Sequence, residues 1–268
     1  TLRNFRMLTE IASYCTMCHN CFAPCPVNID FGDVTLALRR LLMQRRRARM
    51  KPLTRMTLFY LKRRGFHFNR FMRLALLRGG YGAQRTARLA LTPLRRLTAK
   101  VTPVLHHLLD GRFPVAGTPT IREVFGLRRS DTFYAIENRQ MPVAASVLYF
   151  PGCGSERMFS DISFAALAML YRAGVRVVIP PEYLCCGYPL VANGRGAQAE
   201  AIAYENSVTF HRIAETVSYM NIGHVLVTCG TCKEMLARYR LEEIFVDSVL
   251  MDVNEFLVGQ GLWTTEGV

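Results

Sequence analysis

Nine cysteines set the strongest constraint on this 268-residue chain, because they form two groups that lie far apart in the sequence. The first group occupies residues 15–25, and the second is spread over residues 153–232. Both groups contain the C-x2-C spacing typical of metal ligation, and an odd number of cysteines cannot pair completely into disulfides. The cysteines therefore indicate metal centres in a reducing, cytoplasmic compartment, rather than the disulfide framework of a secreted protein.

The first group follows a C-x2-C-x2-C-x3-C-P pattern made by Cys15, Cys18, Cys21 and Cys25. This pattern is, residue for residue, the one that holds 4Fe-4S clusters in bacterial ferredoxins. We therefore predict that these four cysteines bind a 4Fe-4S cluster, with zinc as the alternative metal. His19 lies inside the motif, and we expect it to face solvent or bond the backbone rather than bind metal.

Composition and pattern divide the chain into four parts. These are a ferredoxin-type motif (1–33), a basic helical segment broken by Gly79-Gly80 and Pro93 (34–110), a linker rich in Pro and Gly (111–145), and a C-terminal part (146–268). In the C-terminal part we predict strands at 147–150, 175–179 and 225–228, and helices at 160–173, 197–219 and 230–240. Strands that alternate with helices predict an α/β fold with an open, largely parallel sheet.

The second group of cysteines is placed at the ends of the predicted strands. Cys153 follows the first strand, Cys185 and Cys186 follow the second, and Cys229 and Cys232 follow the third. Because the carboxyl ends of parallel strands meet at one edge of a sheet, we expect all five thiols to converge there. Nearby aromatic residues, namely Phe150, Tyr183 and Tyr188, are expected to pack around the site and shield it. His106, His107 and His224 have no partner motif and are expected to be structural.

The second group also carries a resemblance to a known family. Its spacing, with the flanks Tyr149-Phe-Pro-Gly-Cys153 and Tyr183-Leu-Cys-Cys-Gly-Tyr-Pro189, resembles the CCG (cysteine-rich) domain of glycolate oxidase iron–sulfur subunits and heterodisulfide reductase B-like proteins. With the ferredoxin motif upstream, the chain is also similar to the iron–sulfur part of large bacterial FAD-linked oxidase fusion proteins. The resemblance covers residues 1–33 and 145–260. It implies that the second group binds a 4Fe-4S cluster, either a non-cubane cluster held by all five cysteines or a cubane held by four with one spare, with zinc as the alternative.

Two departures from that family limit the resemblance. The family usually has two ferredoxin motifs and two CCG domains, whereas this chain has one of each. The fourth cysteine of such a motif can ligate the neighbouring cluster. Cys25 would then bind a cluster whose other cysteine ligands are absent from this chain. The chain also begins at Thr1 rather than at methionine, so we expect a fragment whose missing ferredoxin motif and second CCG domain lie upstream or on a partner. The 42 residues between Cys186 and Cys229 exceed the heterodisulfide reductase spacing and leave the cluster type open.

Residues 34–109 contain 19 Arg and Lys and no Asp or Glu, whereas the whole chain has a net charge of +14, so the rest of the chain sums to 14 − 19 = −5. Three roles for this basic segment stay open. Its helices can pack on the protein or on an acidic partner, lie on an anionic membrane surface, or bind nucleic acid. We favour packing and disfavour nucleic acid, because no recognised nucleic-acid motif accompanies the segment.

The resemblance implies an iron–sulfur electron-transfer module of a flavin-linked oxidoreductase of the 2-hydroxy acid dehydrogenase type. The chain has no Gly-rich dinucleotide fingerprint, so FAD is expected in a partner domain or subunit, with a quinone or another acceptor downstream. No run of about eighteen apolar residues is present, so we expect a cytoplasmic protein, at most peripheral to the membrane. Two alternatives are a thiol or heterodisulfide reductase with its chemistry at the CCG cluster, and a structural zinc protein whose basic segment binds nucleic acid. The sequence assigns no catalytic residue.

Overall fold

Short apolar runs build a five-stranded sheet in the computed structural model, which describes residues 5–45, 50–91 and 119–262. The strands are β1 (Tyr134–Ile136), β2 (Ala145–Phe150), β3 (Val175–Ile179), β4 (His224–Val227) and β5 (Val249–Asp252). Their order across the sheet is β1-β3-β2-β4-β5. All neighbouring strands are parallel except β1, which pairs antiparallel with β3. The prediction of an open, largely parallel α/β sheet is confirmed.

Helices precede the sheet and connect its strands. The N-terminal ones are α1 (Phe5–Tyr14), α2 (Phe31–Gln44), α3 (Pro52–Lys62), α4 (Phe66–Arg73) and α5 (Gly80–Leu91). The later ones are α6 (Ile121–Val124), α7 (Gly152–Arg157), α8 (Ser160–Arg172), α9 (Tyr188–Ala192), α10 (Gly196–Thr216), α11 (Gly230–Leu236), α12 (Leu241–Ile244) and α13 (Val253–Gly259). Asp30 caps α2, since its carboxylate accepts a hydrogen bond from the Gly32 backbone N–H at 2.7 Å.

The central strand β2 is covered on both faces, as parallel sheets require. Leu148 and Phe150 point to one face, where they join Phe210 of α10 in a buried cluster. Val147 and Tyr149 point to the other face, which is covered by residues such as Leu170 of α8. Because both faces of β2 are sealed, its carboxyl end is a rigid platform for the residues that follow it.

Two parts of the chain differ from the sequence prediction. Gly79-Gly80 does not separate two helices, because a π-helical turn (Leu74–Gly79) joins α4 to α5 and the helix continues. A helical glycine costs only about 1 kcal/mol relative to alanine, so neighbouring residues can carry the helix through it. The predicted linker, residues 111–145, contains α6 and β1 within its described portion, so the sheet begins before residue 146. Pro93, His106 and His107 lie outside the described residues.

The basic segment packs on the C-terminal domain over its described part. Leu58 of α3 forms a buried cluster with Leu190 and Ile202. Arg64 forms an ion pair with Glu205, and Arg73 forms one with Glu123, each at 3.0 Å. Packing inside the protein is therefore one role that this segment fulfils. Within the described ranges, no helix combines the length and the apolar character needed to cross a membrane.

Candidate metal centre

The five cysteines of the second group meet at the carboxyl edge of the sheet. Cys153 lies in the first turn of α7, directly after β2. Cys185 and Cys186 lie between β3 and α9, and Cys229 and Cys232 lie at the start of α11, directly after β4. Since β3 and β4 flank β2 on opposite sides, connections that leave the sheet in opposite directions open a crevice at this point. The structure thus brings together the cysteines that the strand order predicted to converge.

The thiols of this site are in contact in the order 153–185–186–232–229. Cys232 Sγ donates to Cys186 Sγ at 3.5 Å. Hydrogen bonds also join Cys153 to Cys185, Cys185 to Cys186, and Cys229 to Cys232. Cys185, Cys186 and Cys232 are buried, whereas Cys153 and Cys229 are partly exposed. The five thiols therefore form a row that is buried in the middle and partly exposed at its two ends, Cys153 and Cys229.

Hydrogen bonding inside the row separates thiols from thiolates. Hydrogen bonds from Cys185 and Cys232 lower the pKa of Cys186 to about 5, and the hydrogen bond from Cys232 lowers the pKa of Cys229 to about 5. The pKa of Cys232 is strongly raised, because this buried thiol donates to both neighbours. The hydrogen bond with Cys185, together with burial, raises the pKa of Cys153. Hydrogen bonding inside the row therefore favours the thiolate forms of Cys186 and Cys229, and thiolates are the form that binds a metal.

Cys185 sits between these extremes. The hydrogen bond with Cys153 lowers its pKa, but the bond with Cys186 and burial outweigh this effect and raise the pKa to about 11. Cys185 therefore stays protonated at neutral pH and donates a hydrogen bond to the Cys186 sulfur. Binding of a metal at these sulfurs displaces such protons, because the thiolate is the ligand.

Gly152 lets the backbone pass close to the sulfurs. Its φ of +70° lies in the left-handed region, and a Cβ at this position would approach Cys232 Sγ to 2.9 Å. Any other residue would therefore be strained and would fill the space beside the Cys232 sulfur. The site is a cradle in which the absence of a side chain leaves room next to a ligand atom.

The backbone of the vicinal cysteine pair is held from behind by polar side chains. Asn206, fully buried in α10, donates through Nδ2 to the Cys185 carbonyl at 2.8 Å. The Tyr239 hydroxyl donates to the Cys186 carbonyl at 3.0 Å and also accepts from Asn206 Nδ2 at 3.2 Å. Arg64 of the basic segment completes the network by donating to Asn206 Oδ1 at 2.9 Å. Because such supporting bonds fix the orientation of ligands, the basic segment helps to position this site.

Sequence reasoning missed Asn206, Tyr239 and Arg64. A signal for Asn206 does exist, since it lies on the same face of α10 as Ile202 and Phe210, at a spacing of four residues. A polar residue on an apolar helix face must find a partner inside the protein. No comparable pattern distinguishes Arg64 from the other arginines around it.

Buried charges form a frame on the other side of Cys153. Arg122 and Glu156 form an ion pair in which each side chain is 1% exposed. Arg157 lies between the rings of Tyr60 and Tyr183, with its guanidinium carbon 5.2 Å and 5.4 Å from their centroids. Burial raises the pKa of Glu156, and the charges of Arg122 and Arg157 oppose that shift. The turn that carries Cys153 is therefore anchored by interactions that depend on complete burial of the charged groups.

The first group of cysteines occupies a loop between α1 and α2. Cys18 and Cys21 are exposed, and Cys15 and Cys25 are partly buried. The backbone N–H of Met17 donates to Cys15 Sγ at 3.4 Å, and that of Ile29 donates to Cys25 Sγ at 3.3 Å. Hydrogen bonds with the Asn20 backbone and the Thr16 side chain lower the pKa of Cys18. Backbone amides aimed at sulfur favour the thiolate form, so the loop fits a thiolate-ligated cluster.

His19 does not behave as the sequence led us to expect. Its Nδ1 lies 2.6 Å from Asp30 Oδ2, and the hydrogen bond to that carboxylate raises the pKa of His19. The prediction of a solvent-facing or backbone-bonding histidine is therefore wrong. The reason is that the cap of α2 brings the Asp30 side chain back over the loop. His224 behaves as expected, with its ring 4.9 Å from that of Phe256 at the edge of the core.

Spacing of the sulfurs bears on which metal the cysteines suit. Zinc holds each sulfur at about 2.3 Å, which places four sulfurs within about 4 Å of one another. In the described part of the chain, which includes all nine cysteines, no three cysteine sulfurs lie within 4.8 Å of one another. Neighbouring sulfurs of the C-terminal site are nevertheless close, with 3.5 Å between Cys186 and Cys232, so the sulfur spacing does not separate zinc from a multinuclear cluster.

Residues 147–237 match the family model of the CCG cysteine-rich domain. A probable glycolate oxidase iron–sulfur subunit of Bacillus subtilis is 25% identical over 228 residues, which are 85% of this chain and 47% of that protein. An uncharacterised iron–sulfur protein of Methanococcus maripaludis is 30% identical over 129 residues (48% of this chain, 23% of that protein). A similar protein of Methanocaldococcus jannaschii is 27% identical over 136 residues (51% and 25%). The chain therefore spans between 23% and 47% of the length of these relatives. No solved structure matches it.

Proposed function

We propose that this chain, whose residues 147–237 match the CCG cysteine-rich domain, is an iron–sulfur electron-transfer module with a cluster at each cysteine group. The observation that carries this proposal is the row of five contacting thiols at the carboxyl edge of the sheet. Its support by Asn206 and Tyr239 suits a site whose ligands must stay fixed. A bound iron–sulfur cluster supplies one-electron exchange.

The residues of this chain hold, orient and shield such clusters. Cys153, Cys185, Cys186, Cys229 and Cys232 supply sulfur ligands at the C-terminal site, and Cys15, Cys18, Cys21 and Cys25 supply them in the N-terminal loop. The ferredoxin-type spacing of the N-terminal cysteines and the names of the iron–sulfur relatives support iron–sulfur chemistry over a single zinc ion. Phe150 belongs to the same buried cluster as Cys186 and Cys232 and covers this part of the C-terminal site.

The electron donor we propose is a flavin on a partner domain or subunit, reduced by a 2-hydroxy acid. The name of the Bacillus relative, a glycolate oxidase iron–sulfur subunit, supports this proposal. Because the chain spans less than half of that relative, the upstream ferredoxin motif and the second CCG domain are further proposed partners. A quinone or another acceptor then takes the electrons onward.

Metal analysis of the anaerobically purified protein tests this function directly. We expect iron and acid-labile sulfide at both sites and no zinc. Cys186→Ser should remove the iron of the C-terminal site alone, and Cys21→Ser the iron of the N-terminal site alone, so each variant is the control for the other. Zinc without sulfide in the wild type would overturn the electron-transfer function, as would iron that stays unchanged in both variants.

A further inference from the structure

The two cysteine groups are 128 residues apart at their nearest members, Cys25 and Cys153, yet they lie side by side in the fold. Helix α9 begins directly after Cys186 and Gly187, and the N-terminal cysteine loop is docked on this helix. Arg39 of α2 makes the main contact. Its guanidinium donates to the carbonyls of Ala12 at 2.9 Å and of Cys15 at 2.8 Å on one side, and to that of Ala192, the last residue of α9, at 2.7 Å on the other.

A second contact shows how tightly the two parts fit. Gly194 follows α9 with a φ of +72°, and a Cβ at this position would lie 2.8 Å from the Arg39 carbonyl oxygen. Only glycine therefore lets α2 approach the end of α9 this closely. The backbone at Gly194 packs directly on the backbone at Arg39. The distance between the two cysteine groups is therefore fixed by backbone packing as well as by side chains.

Tyr188 connects the sulfurs of the two groups. Its backbone N–H is hydrogen-bonded to the Cys186 sulfur, and its hydroxyl donates to the Met17 carbonyl at 3.4 Å. The Met17 backbone N–H in turn donates to Cys15 Sγ at 3.4 Å. A continuous path of covalent bonds and hydrogen bonds therefore runs from Cys186 through Tyr188 and Met17 to Cys15. The sequence predicted only a packing role for Tyr188, and this contact to the N-terminal loop exceeds it.

We propose that Tyr188 is the bridge through which electrons pass between the two cysteine-held centres, and that Arg39 is the positioning residue that keeps this bridge closed. This inference rests on the proposed electron-transfer function. In each transfer, one electron leaves one centre, which is oxidised, and reduces the other. No bond is made or broken, and Tyr188 neither gains nor loses a proton or an electron.

The long hydroxyl contact of Tyr188 makes this proposal testable. An O–H···O hydrogen bond of 3.4 Å is well beyond the usual 2.5–3.0 Å, so its contribution to stability is small. Tyr188→Phe keeps the ring and the backbone bond to Cys186 and removes only the link to Met17. A change in electron transfer in this variant therefore reports the path rather than the folding of the protein.

The experiment follows reduction of the C-terminal centre after rapid reduction of the N-terminal centre in the native protein. We expect Tyr188→Phe to slow this step severalfold, with unchanged iron content and unchanged reduction potentials of both centres. Tyr204→Phe is the matched control, because Tyr204 is 72% exposed on α10, and it should leave the rate unchanged. Arg39→Lys should slow the step further, since a lysine cannot replace the planar guanidinium that reaches carbonyls on both sides.

A readout independent of electron flow is the magnetic interaction of the two reduced centres in electron paramagnetic resonance. We expect Arg39→Lys to weaken this interaction and Tyr188→Phe to leave it unchanged, because the first residue sets the spacing and the second sets the path. An unchanged rate in Tyr188→Phe, with both centres present and reducible, would overturn the bridge. Iron and sulfide missing from the wild type would instead overturn the proposed function, so the two failures are distinguishable.

Discussion

The two cysteine groups contrast in how the fold supports them. The N-terminal group lies in one loop of eleven residues, with two exposed thiols and sulfur contacts made by nearby backbone amides. The C-terminal group is assembled from three separate connections of the sheet, with buried thiols and a polar network that reaches the basic segment. The difference teaches that the first site is specified by local sequence, and the second by the whole domain. Substitutions far from the sulfurs should therefore damage only the second site.

The largest expected effect comes from breaking the buried ion pair behind Cys153. Arg122→Met removes the ion-pair partner of the buried Glu156 carboxylate, a change that typically costs about 3–5 kcal/mol of unfolding free energy. We expect this loss in urea denaturation followed by circular dichroism, together with loss of iron from the C-terminal site. The N-terminal site should keep its iron, because among the described residues no hydrogen bond or ion pair joins α1 or α2 to Arg122 or Glu156.

The double variant Arg122→Met/Glu156→Leu is the control for charge. It removes both members of the ion pair, so it should recover a large part of the lost free energy, as replacement of buried ion pairs by apolar residues often does. An equal loss in the single and double variants would show that packing of the Arg122 side chain, rather than the unpaired charge, holds this frame.

A smaller effect is expected at the network behind the vicinal cysteines. Asn206→Ala removes the side-chain hydrogen bond to the Cys185 carbonyl, whereas Arg64 keeps its ion pair with Glu205. A buried unsatisfied group costs about 1–3 kcal/mol. We expect a loss in that range by urea denaturation and weaker iron retention at the C-terminal site. Glu200→Ala, at an exposed position of the same helix, should change the unfolding free energy by no more than about 0.5 kcal/mol. Equal losses of unfolding free energy and of iron in Asn206→Ala and Glu200→Ala would show that Asn206 does not support the site.

Glycine at position 152 offers a test of the cradle itself. Gly152→Ala places a Cβ in the left-handed region at a cost of about 1–2 kcal/mol, and this Cβ displaces the Cys232 sulfur. Gly154→Ala, two residues on in the same helix, meets no atom within 4 Å and should be neutral or slightly stabilising. We expect only the first variant to alter the visible spectrum of the C-terminal centre. A spectrum altered equally by both variants would contradict the cradle.

The smallest effect is expected in the N-terminal loop, where residues other than glycine carry the left-handed backbone. Asn28 has a φ of +53° and is exposed. Asparagine tolerates this conformation, so Asn28→Gly should change the unfolding free energy by no more than about 0.5 kcal/mol. Denaturation and iron analysis measure the two outcomes. Loss of N-terminal iron in this variant would break the comparison, because it would show that this loop is as demanding as the buried site.

The sequence predicts the convergence of the five C-terminal cysteines because each follows a strand with a clear apolar pattern. Parallel strands have a fixed edge at which their carboxyl ends meet, so Cys153, Cys186 and Cys229 can be placed together without a structure. Binding of clusters by these residues stays a prediction that the metal analysis will test. The α/β fold follows from the same strand and helix alternation.

Other features depend on contacts that no local pattern encodes. Strand β1 has only three residues and owes its place to pairing with β3, so the sequence alone indicates a linker there. Arg39 and Arg64 belong to a long run of basic residues, and only the packed structure separates those that bind carbonyls and Asn206 from those that face solvent. The π-helical turn at Leu74–Gly79 is compatible with Gly79 and Gly80, but these two glycines alone do not predict it.

The hydrogen bond between Tyr188 and Met17 joins residues 171 positions apart, and this separation has a consequence for biosynthesis. At 5–20 residues per second, the ribosome needs roughly 9–34 s to make the intervening chain. Until then neither α9 nor the Ala192 carbonyl exists, and the N-terminal cysteine loop cannot dock. During that interval the N-terminal cysteine loop lacks the contacts of Tyr188 and Ala192, and its fold depends on α1 and α2 alone.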